Sequence, residues 1–141
     1  VYVLDTDHLG ILQRASDSHF AALSRRIAEH LQRDFFVTIV SFHEQILGWN
    51  AYIAKANDTA EVVRGYLRLE GILRDFSSAQ VLPFDDPAAD IFDELRHQRI
   101  RVGTMDLRIA SIARSKNMMV LTRNLVDFQR VPHLAVEDWT T

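Results

Sequence analysis

Two kinds of hydrophobic pattern alternate along the chain. Continuous apolar runs rich in Val, Ile, Leu and Phe fall at Tyr2–Leu4, Phe35–Ile39, Gln80–Leu82, Met118–Leu121 and Leu134–Val136. Runs of this length predict buried strands. Between them, apolar residues recur at helical spacing: Phe20, Leu23, Ile27 and Leu31, then Phe42, Ile46, Trp49 and Ile53. A third series, Val62, Tyr66, Leu69, Leu73 and Phe76, follows a capping-box-like start at Asp58 and Glu61. The second and third series together predict a long helical hairpin. Asp86-Pro87 opens a further helix through Arg96, since Pro is tolerated in a first turn. Another helix is expected from about Met105 to Ser115.

Strands separated by helices of this length need right-handed crossovers, which give a parallel sheet with helices on both faces. The fold class is therefore α/β. Open sheets of this kind bind ligands beyond the carboxyl ends of their strands, where crossovers diverge to opposite faces. No internal repeat, low-complexity tract or linker interrupts the pattern.

Composition narrows this picture. The chain's 141 residues suit one domain, and 48% hydrophobic with 25% charged residues is ordinary globular usage. No apolar run approaches the roughly 20 residues that span a bilayer. No export signal is recognisable either, so a cytoplasmic location is expected. Cysteine is absent, which excludes disulfides and thiolate zinc sites and leaves oxygen or imidazole to hold any metal. Such donors favour Mg²⁺ or Mn²⁺. The net charge of −3 argues against indiscriminate nucleic-acid binding, but the charge is unevenly spread. Arg96 to Arg130 holds eight Lys or Arg and two acids, whereas Asp85 to Glu94 holds five acids and no base. Taken alone, the basic segment fits solvated helix faces as well as a phosphate-binding surface.

The acids are the candidate chemistry. Asp5 directly follows the first strand; locally it reads as a strand end, with Asp7 as N-cap of a short helix starting near His8. Ser41-Phe42-His43-Glu44 follows the second strand and fits a capping box in which Glu44 reaches back to the Ser41 amide. Asp106 sits where a helix starts, favourable to its dipole. Asn124 and Asp127 follow the fourth strand and suit Asx turns. Each has a sufficient local explanation, yet all four acids fall at one edge of the predicted sheet. Carboxylates gathered there raise one another's pKa unless a cation neutralises them. A divalent metal resolves the conflict, and an acidic cluster near an arginine-rich segment suits phosphodiester chemistry.

These residues carry a family resemblance. LDTDHLGIL, TIVSFHEQILGW, RIRVGTMDLRIASIA and VLTRNLVDFQRVPHLAVEDW, in that order, make the chain similar to PIN domains, in particular the toxins of VapBC-type toxin–antitoxin systems. The resemblance implies a single three-layer domain, with a central, mostly parallel sheet of four to five strands between helices. It also implies Mg²⁺- or Mn²⁺-dependent endoribonuclease activity that stops translation, often by cutting tRNA or rRNA. Asp5 and Asp106 match the metal ligands. Glu44 matches an acid that binds metal directly or through water and orients the nucleophilic water. Many PIN domains carry Asp two residues after the Thr that ends the fourth strand; here that residue is Asn124. Asp127 matches the acid found in toxin-type members, with Asn124 in support. Thr6, Thr104 and Thr122 resemble hydroxyl residues lining such sites, although each equally suits a cap or turn. Arg99, Arg101, Arg108 and Arg123 are the candidates for the RNA backbone. A VapB-type antitoxin wrapping the hairpin, an RNA substrate and a homodimer are the implied partners.

Three other readings compete. His8 and His43 lie near the proposed ligands and invite zinc, but H-x-x-x-H spacing is absent. A strand followed by Asp-x-Asp also opens phosphatases of the haloacid dehalogenase type, in which Asp5 would be the nucleophile and Asp7 the general acid. Leu9 stands where that motif places a hydroxyl residue or Val, and its later acidic block is missing. An inactive PIN-like interaction module would have no reason to keep four mutually repelling acids.

Overall fold

The computed structural model describes all residues from Val1 to Thr141. Strand β1 (Tyr2–Leu4) leads into helices α1 (Thr6–Arg14) and α2 (Ser18–Ala28), and a short 3₁₀ turn precedes β2 (Phe35–Thr38). Helices α3 (Ile39–Ala54) and α4 (Thr59–Ser77) form the hairpin and lead to β3 (Val81–Leu82). Then come α5 (Asp86–His97), α6 (Thr104–Ser115), β4 (Met119–Leu121), α7 (Leu125–Phe128) and β5 (Val136–Glu137). The five strands form one sheet in the order β3-β2-β1-β4-β5, and every pairing is parallel. No helix is long and apolar enough to cross a membrane.

Strand periodicity explains the three layers. Val3 and Val120 point to one face, into a core with Phe92 and Leu95 of α5, Ile109 and Ile112 of α6, and Phe128 of α7. Their neighbours Leu4 and Leu121 point to the other face, against Leu9 and Ile11 of α1, Leu23 of α2, and Ile72 and Phe76 of α4. With both faces covered, the strands are continuous apolar runs. The order places the crossover divergence at β1 and β4, and the Asp5 amide donates to the Leu121 carbonyl at 2.9 Å there.

The structure corrects several local expectations. Thr38, not Ser41, caps α3: its hydroxyl accepts from the Ser41 amide at 3.1 Å, and the strand ends one residue earlier than the apolar run. Glu44 therefore does not close a capping box. Asp7 is not a cap either; Asp5 is the N-cap of α1 and Asp7 lies in its first turn. Helix α2 ends at Ala28, leaving Leu31 exposed. On α4, Tyr66 and Leu73 face outward, and the stripe packed inward runs through Gly65, Ile72 and Phe76. Gly65 decides that rotation, because a Cβ there would collide with Ile53 of α3.

Candidate metal centre

Three carboxylates converge beyond the carboxyl ends of β1 and β2. Asp5, Glu44 and Asp106 each offer an oxygen, and these atoms lie within 4.8 Å of one another. Asp5 arrives as the residue after β1, Glu44 from the second turn of α3, and Asp106 from the first turn of α6. Three crossovers thus deliver acids separated widely in sequence to one point.

Hydroxyls and amides hold this arrangement in place. Asp5, 5% exposed, accepts from the Thr6 amide at 2.7 Å and from the buried Thr122 hydroxyl at 2.8 Å. Thr6 donates its hydroxyl to Glu44 Oε1 at 2.7 Å and lies 3.0 Å from the Ser41 hydroxyl. Asn124 donates its amide to Asp127 Oδ2 at 3.0 Å and reaches Asp106 Oδ2 at 3.4 Å. Asp127 stands outside the converging set; its other oxygen accepts from Arg130 at 3.3 Å. It acts on Asp106 through Asn124 and through its charge. Thr104 begins α6 two residues before Asp106, is exposed, and makes no capping hydrogen bond.

The electrostatics call for a cation. Burial, and then the Asp7 charge, push the Asp5 carboxyl up to about 7, against the lowering effect of its two hydrogen bonds. Burial, Glu44 and Asp127 raise Asp106 to about 6. An all-oxygen donor set in which burial and neighbouring charge hold Asp5 and Asp106 against ionising fits a hard divalent cation, which would be held by Asp5, Glu44 and Asp106.

Asp7 and His8 form a brace that sequence reasoning did not find. Asp7 accepts from the Arg123 amide at 3.1 Å and lies 3.2 Å from the Thr122 hydroxyl. Fully buried His8 holds Asp7 through Nδ1 at 2.9 Å, while its Nε2 accepts from the Trp139 amide at 3.2 Å. Both ring nitrogens are therefore engaged by protein groups, so His8 has none to offer zinc; His43 is exposed on α3. Asp7's engagement also removes the general acid of the phosphatase reading. Only pairing across the whole chain reveals these contacts, so no local signal was available.

The arginines scatter. Arg123 is exposed beside Thr122, and Arg99 and Arg101 are exposed on the α5–α6 loop. Arg108 is half-buried, its guanidinium 5.7 Å from the Phe92 ring centroid. None touches the three carboxylates.

The profile of the PIN domain family matches residues 2–134. The tRNA(fMet)-specific endonuclease VapC of Salmonella typhimurium is 32% identical over 107 residues, 73% of this chain and 74% of that protein. The DNA-bound VapBC structure from Salmonella typhimurium superposes with a TM-score of 0.70 at 26% identity, covering 98% of this chain and 97% of that one. VapBC2 from Rickettsia felis, at 21% identity, shares the fold with a TM-score of 0.72 over 98% of both chains.

Proposed function

This chain belongs to the PIN domain family, and from that premise we propose that it is a Mg²⁺- or Mn²⁺-dependent endoribonuclease, the toxin of a toxin–antitoxin pair. The observation that carries the reading is the convergence of Asp5, Glu44 and Asp106 oxygens within 4.8 Å at the sheet's carboxyl edge. The cation would polarise the scissile phosphate and lower the pKa of the attacking water. Asp5 and Asp106 would hold it, with Glu44 as the third oxygen donor. Glu44, fixed by the Thr6 hydroxyl, orients the water and takes its proton. Asn124 and Asp127 keep Asp106 in register. Because one relative is named a tRNA endonuclease, tRNA is the substrate to test first.

The antitoxin has a surface to cover. Leu47 of α3 and Val63, Tyr66, Leu67 and Leu73 of α4 are between 47% and 62% exposed, an apolar face concentrated on the hairpin. We assign that face to the antitoxin and expect the free chain to be a homodimer, which sedimentation at increasing concentration tests.

Incubating the purified chain with bulk tRNA and Mg²⁺ or Mn²⁺ tests the catalytic reading. Wild type should cut, EDTA should abolish cutting, and Asp106→Asn should lower the rate at least about a hundredfold. Equal cutting by wild type and Asp106→Asn would sink the assignment.

A further inference from the structure

A cleft of about 650 Å³ lies between α1, α3 and α4. Thr6, whose hydroxyl holds Glu44, forms part of its wall, so the cleft begins beside the carboxylate site. Its walls mix polar side chains with Trp49, Leu67 and Ile72, and carry Arg14, Arg68 and Arg74. The ion pairs made by the chain's arginines are Arg26–Glu137, Arg114–Glu94 and Arg130–Asp127, so these three guanidiniums enter none. Asp75, the acid in the same wall, already accepts from Gln13 at 3.1 Å.

The cleft also has a flat apolar surface and a set of amides. Half-buried Trp49 lines it, with the Arg68 guanidinium 5.8 Å from the ring centroid. Gln13 and Gln45 exchange amide hydrogen bonds at 3.1 and 2.7 Å and so present both donors and acceptors. Two helix-interior glycines keep the space open. Arg14 Nη1 lies 3.0 Å from where a Cβ of residue 10 would stand, so Gly10 lets the guanidinium lie against α1. A Cβ at Gly71 would meet nothing within 4 Å, so packing does not require glycine there, although glycine weakens a helix.

We propose that this cleft binds the RNA strand on one side of the scissile phosphate, with Arg14, Arg68 and Arg74 on backbone phosphates and a base stacked on Trp49. The inference rests on the nuclease reading and gives it a second substrate contact, distinct from the arginines after α5. Guanidiniums match phosphate oxygens, and an aromatic ring in the cleft wall suits an unstacked base that packs beside Arg68. An acidic peptide would use the same charges but would gain little from the flat ring and the amide pair.

The test is binding of fluorescein-labelled bulk tRNA in Ca²⁺ buffer across a salt series. Arg14→Gln with Arg68→Gln should weaken binding at least about tenfold and flatten the plot of log K against log salt by about 1.4, or 0.7 for each lost phosphate. Trp49→Leu should weaken binding about tenfold with the slope unchanged. Gly71→Leu should block binding while the melting temperature holds or rises, because it improves helix propensity. Arg25→Gln with Arg33→Gln, elsewhere on the surface, should leave binding and slope alone, and every variant should keep the Mn²⁺-induced rise in melting temperature. If wild type binds and cuts tRNA while the cleft variants match it, the cleft is not a substrate site. If wild type neither binds nor cuts, the nuclease reading fails and this inference with it. Loss of poly-glutamate binding in the arginine variants, with tRNA binding indifferent to Trp49→Leu, would overturn it in favour of an acidic peptide.

Discussion

Replacing Asp5 with Asn removes the charge that the fold tolerates least. The Asp5 carboxyl is raised from 3.8 to about 7, mostly by burial and then by the charge of Asp7. A carboxyl with a higher pKa in the folded than in the unfolded chain binds its proton more tightly when folded. In the cation-free protein the contribution of Asp5 to stability is therefore greatest at acid pH and is lost as pH rises from 3.8 through about 7. A gap of roughly three units at 1.36 kcal/mol each sets the full penalty at about 4 kcal/mol. Asn cannot ionise, and its amide oxygen still accepts from the Thr6 amide, but the charge-assisted bond from Thr122 is lost. In EDTA at about pH 8, Asp5→Asn should therefore be more stable than wild type by about 2 kcal/mol, with the order closing or reversing near pH 4. Urea melts of both proteins across this range provide the measurement, and subtracting one from the other cancels the remaining titrating groups. Saturating Mn²⁺ should then stabilise wild type, by about 2.7 kcal/mol at a hundredfold excess over Kd, and leave Asp5→Asn unmoved. Parallel pH curves, or equal stabilisation of both by Mn²⁺, would refute the reasoning.

Further outcomes follow from the same geometry. Cation affinity should climb as pH rises through about 6 to about 7, because Asp106 and Asp5 must release protons to bind; calorimetric Mn²⁺ titrations at successive pH values check this. His8→Ala leaves the Trp139 amide without its acceptor and opens a cavity, and should cost about 2–4 kcal/mol by urea denaturation. Gly65→Ala should destabilise by about 1–2 kcal/mol because its methyl meets Ile53, whereas Gly48→Ala, with nothing within 4 Å, should stabilise by up to about 1 kcal/mol. Melting curves of these two variants should move in opposite directions.

The first four strands and the α/β class were legible because apolar runs such as Tyr2–Leu4 owe their character to burial on both faces, which any sequence window records, whereas β5 starts only at Val136, the last residue of its expected run Leu134–Val136. The acids Asp5, Glu44 and Asp106 were legible for a related reason. Each stands just past a strand or at a helix start, and parallel topology sends all such places to one edge. What the sequence hid was choice between equivalent neighbours. Thr38 and Ser41 are both good caps, and the choice depends on where β2 stops pairing with β3. Tyr66 and Gly65 are adjacent on α4, and helical spacing favours the aromatic; the closeness of Ile53 selects the glycine. The roles of Asp7 and His8 depend on Arg123 and Trp139, so no window around either residue holds the information.

The brace from His8 to Trp139 and the bond from Thr122 to Asp5 also set a timetable for synthesis. Thr122 comes 117 residues after Asp5 and Trp139 comes 131 after His8, and β1 can pair with β4 only once both exist. Contacts of such separation form late, after the local helices. Until Trp139 exists, His8 of α1 lacks the amide that its Nε2 accepts from, and until Thr122 exists Asp5 lacks the hydroxyl that donates to it. The brace and the Asp5 hydrogen bond are therefore among the last contacts of the fold to form.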